Sequence, residues 1–170
     1  MDALELIKSR RSTKKYTDKP VPAELIEKVC RAGTWAASGM GKQSPIILAV
    51  TNKEVRDKLS RLNAEVMGAK IDPFYGAPAV LVVLANKAVP TAVYDGSLVM
   101  GNMMIEAESL GLGACWIHRA KEVFETEYGK ELLKSLGIEG EYEGIGNLIL
   151  GYGEKSREKP RKENYVYHID

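Results

Sequence analysis

Gly96-Ser97-Leu98-Val99-Met100-Gly101-Asn102-Met103-Met104-Ile105-Glu106-Ala107 lies in the most apolar part of the chain and constrains the architecture most. It belongs to a helix expected from about Thr91 to Leu110. Leu98, Val99, Met100, Met103, Met104 and Ile105 cover most of the helix circumference, while Gly96, Ser97, Gly101 and Ala107 leave room for another backbone to approach. A helix that is apolar all round is buried. In a chain of 170 residues this means the domain centre or a subunit interface, and the pattern alone leaves both open. Asp95, Gly96, Asn102 and Glu106 interrupt the apolar run from Ala92 to Ala107, which is too short and too polar to span a bilayer.

Outward from this helix the chain alternates between strands and helices. Ala79 to Ala85 is an unbroken Val/Leu run, the pattern of a strand buried on both faces. Gly113 to Ile117 is a short strand after a glycine-rich turn. Ile46 to Val50 and Ile145 to Leu150 are two further buried strands. Leu4, Leu6 and Ile7 mark a short first helix. Pro22 opens a second, whose apolar face is Leu25, Ile26, Val29, Cys30 and Ala32. Val55, Leu59 and Leu62 predict a surface helix. Val123, Phe124, Leu132, Leu133 and Leu136 predict two short helices split near Gly129. With no internal repeat and no linker, residues 1–170 read as one domain, with residues 154–170 as a C-terminal arm.

Composition narrows the function classes. The chain is 45% apolar and 28% charged, as in an ordinary globular protein. Its formal net charge of +1 argues against a general nucleic-acid binder. Cys30 and Cys115 are too few for a disulfide scaffold and suit a reducing compartment. Two Cys and two His without ligand spacing disfavour structural zinc. The N-terminus lacks an apolar targeting segment, so the expectation is a cytoplasmic protein that uses no metal, membrane or nucleic acid.

The charges are unevenly placed. Residues 8–15 carry five basic side chains and no acid, and residues 155–162 carry five basic side chains and one acid, Glu158. If the two segments meet, they form a site for a phosphate dianion, with Arg as a planar bidentate donor and Lys as a point charge. If they do not, they are two solvated tails. Nucleotide loops are missing: no G-x-G-x-x-G follows a strand, and Gly39-Met40-Gly41-Lys42-Gln43-Ser44 departs from a Walker loop. No G-x-S-x-G elbow is present. Cys115 and His118 lie an odd number of positions apart, which on one strand points them to opposite faces.

Four segments, in order, carry a family pattern. They are Arg10-Arg11-Ser12-Thr13-Lys14-Lys15-Tyr16, then Ala36-Ala37-Ser38-Gly39-Met40-Gly41-Lys42-Gln43-Ser44-Pro45, then Leu110-Gly111-Leu112-Gly113-Ala114-Cys115-Trp116-Ile117. The last is Leu150-Gly151-Tyr152-Gly153 with Lys159-Pro160-Arg161-Lys162. Together they resemble the FMN-dependent nitroreductase family over nearly the whole chain. The resemblance implies an α+β fold, an α-β-α sandwich with a mostly antiparallel central sheet, and a domain-swapped homodimer with two FMN sites at its interface.

Carried over by position, the resemblance implies that Arg10, Arg11, Ser12 and Lys14 hold the FMN phosphate and ribityl chain, with Lys159 and Arg161 joining from the C-terminal arm. Ala37, Ser38 and Gly39 would pack on the flavin ring from the other subunit. Trp116, Ile117 and His118 would line its opposite side, through a backbone N–H more than the imidazole, and Asn63 would reach its pyrimidine edge. Gly41 and Ser44 stand where many members have Asn and Pro. The implied activity is hydride transfer from NADH or NADPH to FMN and reduction of a quinone, nitroaromatic or similar small acceptor by a ping-pong mechanism. No acid–base side chain is needed for the hydride step. The alternatives are an FMN-binding relative without NAD(P)H reductase activity, either flavin-processing or dehalogenase-like, and a flavin-binding redox module.

Overall fold

The computed structural model describes residues 2–170. In chain order the elements are α1 (Ala3–Ser9), β1 (Thr13–Tyr16), α2 (Ala23–Thr34), β2 (Pro45–Val50), α3 (Lys53–Met67), β3 (Ala79–Asn86), α4 (Ala92–Ser109), β4 (Gly113–Ile117), α5 (Ala120–Glu125), α6 (Glu127–Ser135), β5 (Tyr142–Gly151) and β6 (Gly153–Lys155). Four strands form an antiparallel sheet in the order β2-β3-β5-β4.

The apolar run of β3 is explained by its two faces. Ala79, Leu81, Val83 and Ala85 point into a core with α2 and α4, while Val80, Val82 and Leu84 point into a second core with α3, α5 and α6. Successive side chains alternate across a strand, so a strand covered on both sides must be apolar throughout. The helices therefore sandwich the sheet, as an α+β, α-β-α fold requires. Each fully buried Val or Leu contributes roughly 1.5–3 kcal/mol of transfer free energy.

A bulge in β5 then shapes α4. Val83 pairs with Gly146 and Leu84 with Gly144, so Ile145 is the extra residue. The irregularity turns Ile145 to the face that holds Leu148 and Leu150. There it presses on α4 at Gly96, where a Cβ would come within 2.5 Å of its side chain.

The apolar helix meets the sheet on one side only. Ala92, Gly96, Val99, Met100, Met103 and Ala107 are buried, but Val93, Tyr94 and Leu98 are 46%, 73% and 50% exposed. The expectation of burial all round is thus corrected for the single chain: the second apolar face of α4 is open.

Two further differences from the sequence reading have clear causes. The break between the last two helices falls at Thr126, whose Oγ1 caps α6 by accepting from the Gly129 N–H at 3.2 Å. Gly129 is not a breaker; a Cβ there would come 2.5 Å from the Phe124 Cα, so the glycine lets α6 pack closely on α5. The second difference is the ribbon of β1 and β6, too short and too charged to show as strands in the sequence. They pair antiparallel, with Thr13 opposite Lys155 and Tyr16 opposite Gly153.

Candidate functional site

The β1–β6 ribbon brings the two basic segments together. The Ser156 N–H donates to the Ser12 carbonyl at 2.8 Å, and an Arg11 nitrogen lies 2.7 Å from a Glu158 carboxylate oxygen. Arg11 also donates to the carbonyls of Lys8 and Arg10. Arg10 is half-buried and makes no ion pair among the described residues. The segment rests on β4, because Ser12 forms a parallel bridge with Ala114. Thr13, fully buried, fills the space above Gly113, and its Oγ1 has no hydrogen-bond partner. Lys14 is exposed, with its ammonium 5.8 Å from the centre of the Tyr75 ring. Lys159 and Arg161 lie beyond β6 in an exposed segment without regular structure.

The far end of β4 is built differently. The chain leaves Ile117 through exposed His118 and then Arg119, which takes a left-handed conformation at φ 70°. Asn63, a fully buried residue of α3, donates to the His118 carbonyl at 2.8 Å and accepts from Arg119 Nε at 3.0 Å. Asn147 donates to the carbonyls of Ile117 and His118, both at 3.3 Å. Both ends of the Asn63 amide are thus engaged by the protein, and it braces the turn. Trp116 is half-buried, with its ring edge over Gly146.

The third segment lies at the opposite edge of the sheet. Ala37, Ser38 and Gly39 precede β2, one edge strand, whereas β4 is the other. With β3 and β5 between them and a strand spacing of about 4.8 Å, the edges are roughly 14 Å apart. A short 3-10 turn at Gly39–Gly41 shapes this loop, with Met40 at φ 53°, Gly41 at φ 65° and Gln43 at φ 47°. Beside it is a cavity of about 490 Å³, lined by Cys30, Thr34, Ala37, Ser38, Ile46 and Val99 among others.

Asp95, which no sequence motif singled out, anchors the loop. It is 3% exposed. It accepts from the Gly39 N–H at 3.0 Å, Ser44 Oγ at 3.1 Å and Thr91 Oγ1 at 3.0 Å. Burial pushes its pKa up, but the three donors outweigh this and hold the carboxyl below its ordinary range. A signal existed in the sequence: Asp95 is the one charged residue between Ala92 and Ile105. A second acid is tied in the same way. Asp72 accepts from Arg56 at 2.7 Å, Ser60, and the N–H groups of Phe74 at 2.9 Å and Gly76 at 2.7 Å. Burial again opposes ionisation, and these donors again lower its pKa.

Residues 7–74 and 68–152 match the nitroreductase family. The chain belongs to the nitroreductase family. Among relatives of this nitroreductase-family chain, a Methanothermobacter thermautotrophicus protein, provisionally assigned as an NADH dehydrogenase/NAD(P)H nitroreductase, is 34% identical over 120 residues. That match covers 68% of this chain and 60% of the relative, so the chain spans less than two thirds of that protein's length. The FMN reductase [NAD(P)H] of Bacillus subtilis is 27% identical over 178 residues, covering 92% of this chain and 70% of its own. The crystal structure of a nitroreductase with bound FMN from Bacteroides fragilis superposes with a TM-score of 0.87 at 26% identity, covering 100% of both chains. Among the described residues no helix is long and apolar enough to cross a membrane.

Proposed function

We propose that this nitroreductase-family chain is an FMN-dependent oxidoreductase that uses NADH or NADPH to reduce a quinone, nitroaromatic or similar small acceptor. One observation carries the reading: the phosphate-type donors and the 116–119 turn bracket the same short strand. Ser12 pairs with the second residue of β4, and His118 follows its last. At about 3.4 Å per residue, these points are separated by roughly 14 Å. That suits an elongated ligand with a phosphate at one end and a planar ring at the other. The donor set fits the phosphate. Arg10 has no acidic partner among the described residues, Ser12 adds a hydroxyl, and Arg11 already holds an anion in the form of Glu158.

When bound, FMN would supply the redox chemistry, accepting a hydride from the nicotinamide and passing the electrons to the acceptor. Arg10, Arg11, Ser12 and Lys14, joined by Lys159 and Arg161, would fix the phosphate. The turn at Trp116, Ile117 and His118 would present backbone N–H groups to the ring, and Asn63 and Asn147 would hold that turn rigid. Ala37, Ser38 and Gly39 would cover the ring from a second copy. The separation of the two sheet edges supports this division, as do the exposed Trp35 (77%), Met40 (83%), Tyr94 (73%) and Leu98 (50%), which suit a homodimer contact. On this reading residues 1–170 form one FMN-binding domain with residues 154–170 as an arm, exchanged between subunits. The two free thiols fit a cytoplasmic setting.

Steady-state kinetics test the activity. With FMN-loaded protein, initial rates at varied NAD(P)H and several fixed quinone concentrations give parallel double-reciprocal lines if both substrates use one site in turn. Intersecting lines contradict the shared site. No turnover with any nicotinamide, in protein that holds FMN, favours the relative without reductase activity.

A further inference from the structure

Asp95 carries a role that neither the motifs nor the relatives assign. Its carboxylate is buried and forms no ion pair among the described residues. A buried charge without a counter-ion is costly unless its lone pairs are engaged. Here they are engaged by three donors from distinct places. Gly39 and Ser44 stand on either side of the loop's left-handed residues, and Thr91 precedes α4. Ser38 Oγ closes the loop on itself by accepting from the Gln43 N–H at 3.0 Å. The fit is tight: a Cβ on Gly39 would lie 2.3 Å from Thr91 Oγ1.

We propose that Asp95 is a positioning residue for the flavin ring. By holding the Gly39 N–H and the Ser44 hydroxyl, it sets the path of Ala37-Ser38-Gly39, the backbone that covers the ring. This rests on the FMN reading above. A loop with left-handed backbone at Met40, Gly41 and Gln43 has many alternative paths, and ordering it before the ligand arrives lowers the entropic cost of binding. Asp95 acts only through the loop, so its influence falls on the ring, the part that FMN and riboflavin share. The basic segments act on the phosphate, which riboflavin lacks.

The test uses full-length protein stripped of flavin, with FMN and riboflavin dissociation constants measured by fluorescence titration and the visible circular dichroism of the bound flavin recorded. Asp95→Ala leaves the Gly39 N–H without its acceptor. It should weaken FMN and riboflavin by the same factor, tenfold or more, and change the visible dichroism. Asp95→Asn keeps an oxygen for Gly39 and an amide that donates to the Ser44 and Thr91 hydroxyls. It should stay within threefold of the parent for both flavins, with the parent dichroism. Riboflavin affinity within threefold of the parent in folded Asp95→Ala overturns the proposal, as does an Asp95→Asn variant that binds no better than Asp95→Ala. If Asp95→Ala does not fold, Gly39→Ala decides. Its Cβ pushes the loop off Thr91 and leaves the carboxylate in place, so an equal loss for both flavins supports the role and unchanged affinity overturns it. A parent protein that binds neither flavin removes the FMN reading itself, whereas a parent that binds beside an unaffected Asp95→Ala removes only the role of Asp95.

Discussion

At the scale of single residues, the basic groups proposed to hold the phosphate differ from the acids that hold the protein in shape. Arg10 has no acidic partner among the described residues, and Arg161 lies exposed three residues beyond Glu158, which already touches Arg11. Removing one charge-assisted contact to a partly buried anion costs roughly 1.5–3 kcal/mol. Arg10→Ala and Arg161→Ala should therefore each weaken FMN about tenfold to a hundredfold and spare riboflavin, with a non-additive double variant. Equal FMN affinity in the parent and both variants, by fluorescence titration, would show that neither arginine holds the phosphate. Asp72 and Asp95 belong to the second class. The folded pKa of each lies below its ordinary value, so their contribution to stability is fully present above about pH 4 and is lost as pH falls through the folded values. The urea midpoint should thus fall on going from pH 7 to pH 3, and by less in Asp95→Asn. A midpoint independent of pH over that range contradicts the assignment. The basic motif was legible because charge runs stand out in sequence. The bracing role of Asn63 was not, because its partners lie 55 and 56 residues away and one of them is a main-chain carbonyl.

At the scale of elements, β3, β4 and α4 could be read almost to the residue, since each is a long or glycine-bounded apolar run. The β1–β6 ribbon could not. Its strands have four and three residues, and its pairing joins the two ends of the chain. What fixes the ribbon on β4 is a steric match. A Cβ on Gly113 would lie 2.7 Å from Thr13 Oγ1. Gly113→Ala should destabilise the protein by roughly 1–3 kcal/mol through overpacking. Thr13→Ala removes the two nearest obstructing atoms, Oγ1 and Cγ2, and with them a buried hydroxyl without a partner, but keeps the Cβ at 2.9 Å, so the double variant should recover part of the loss in urea midpoint. Simple additivity of the two changes would show that Thr13 is not the obstacle. Helix α4 makes a different prediction. A Cβ on Gly101 meets nothing within 4 Å in the single chain, so Gly101→Leu should leave the protomer folded and act on the contact between copies. Light scattering should show a shift toward monomer with unchanged helix content. A dimer as stable as the parent's would place the interface elsewhere.

At the scale of the whole molecule, the two edges of one sheet divide the labour. The β4 edge carries the candidate phosphate and ring contacts, and the β2 edge carries the loop that Asp95 holds. The sequence could suggest that α4 was central, but its pattern could not tell a face buried in the protomer from one awaiting a second copy. The structure separates the two faces: Val99, Met100 and Met103 pack inward, and Val93, Tyr94 and Leu98 are open in the single chain. The central claim is that this architecture holds FMN and loads it with electrons from a nicotinamide. The most direct measurement is the visible absorbance of the purified protein in the absence of oxygen, before and after adding NADH or NADPH, followed by chromatography of the flavin released on denaturation. The account predicts a yellow protein that bleaches with one of the two nicotinamides, regains its colour on adding a quinone, and releases FMN. A protein that carries no flavin and takes up none when FMN is supplied, or that releases FAD, would contradict it.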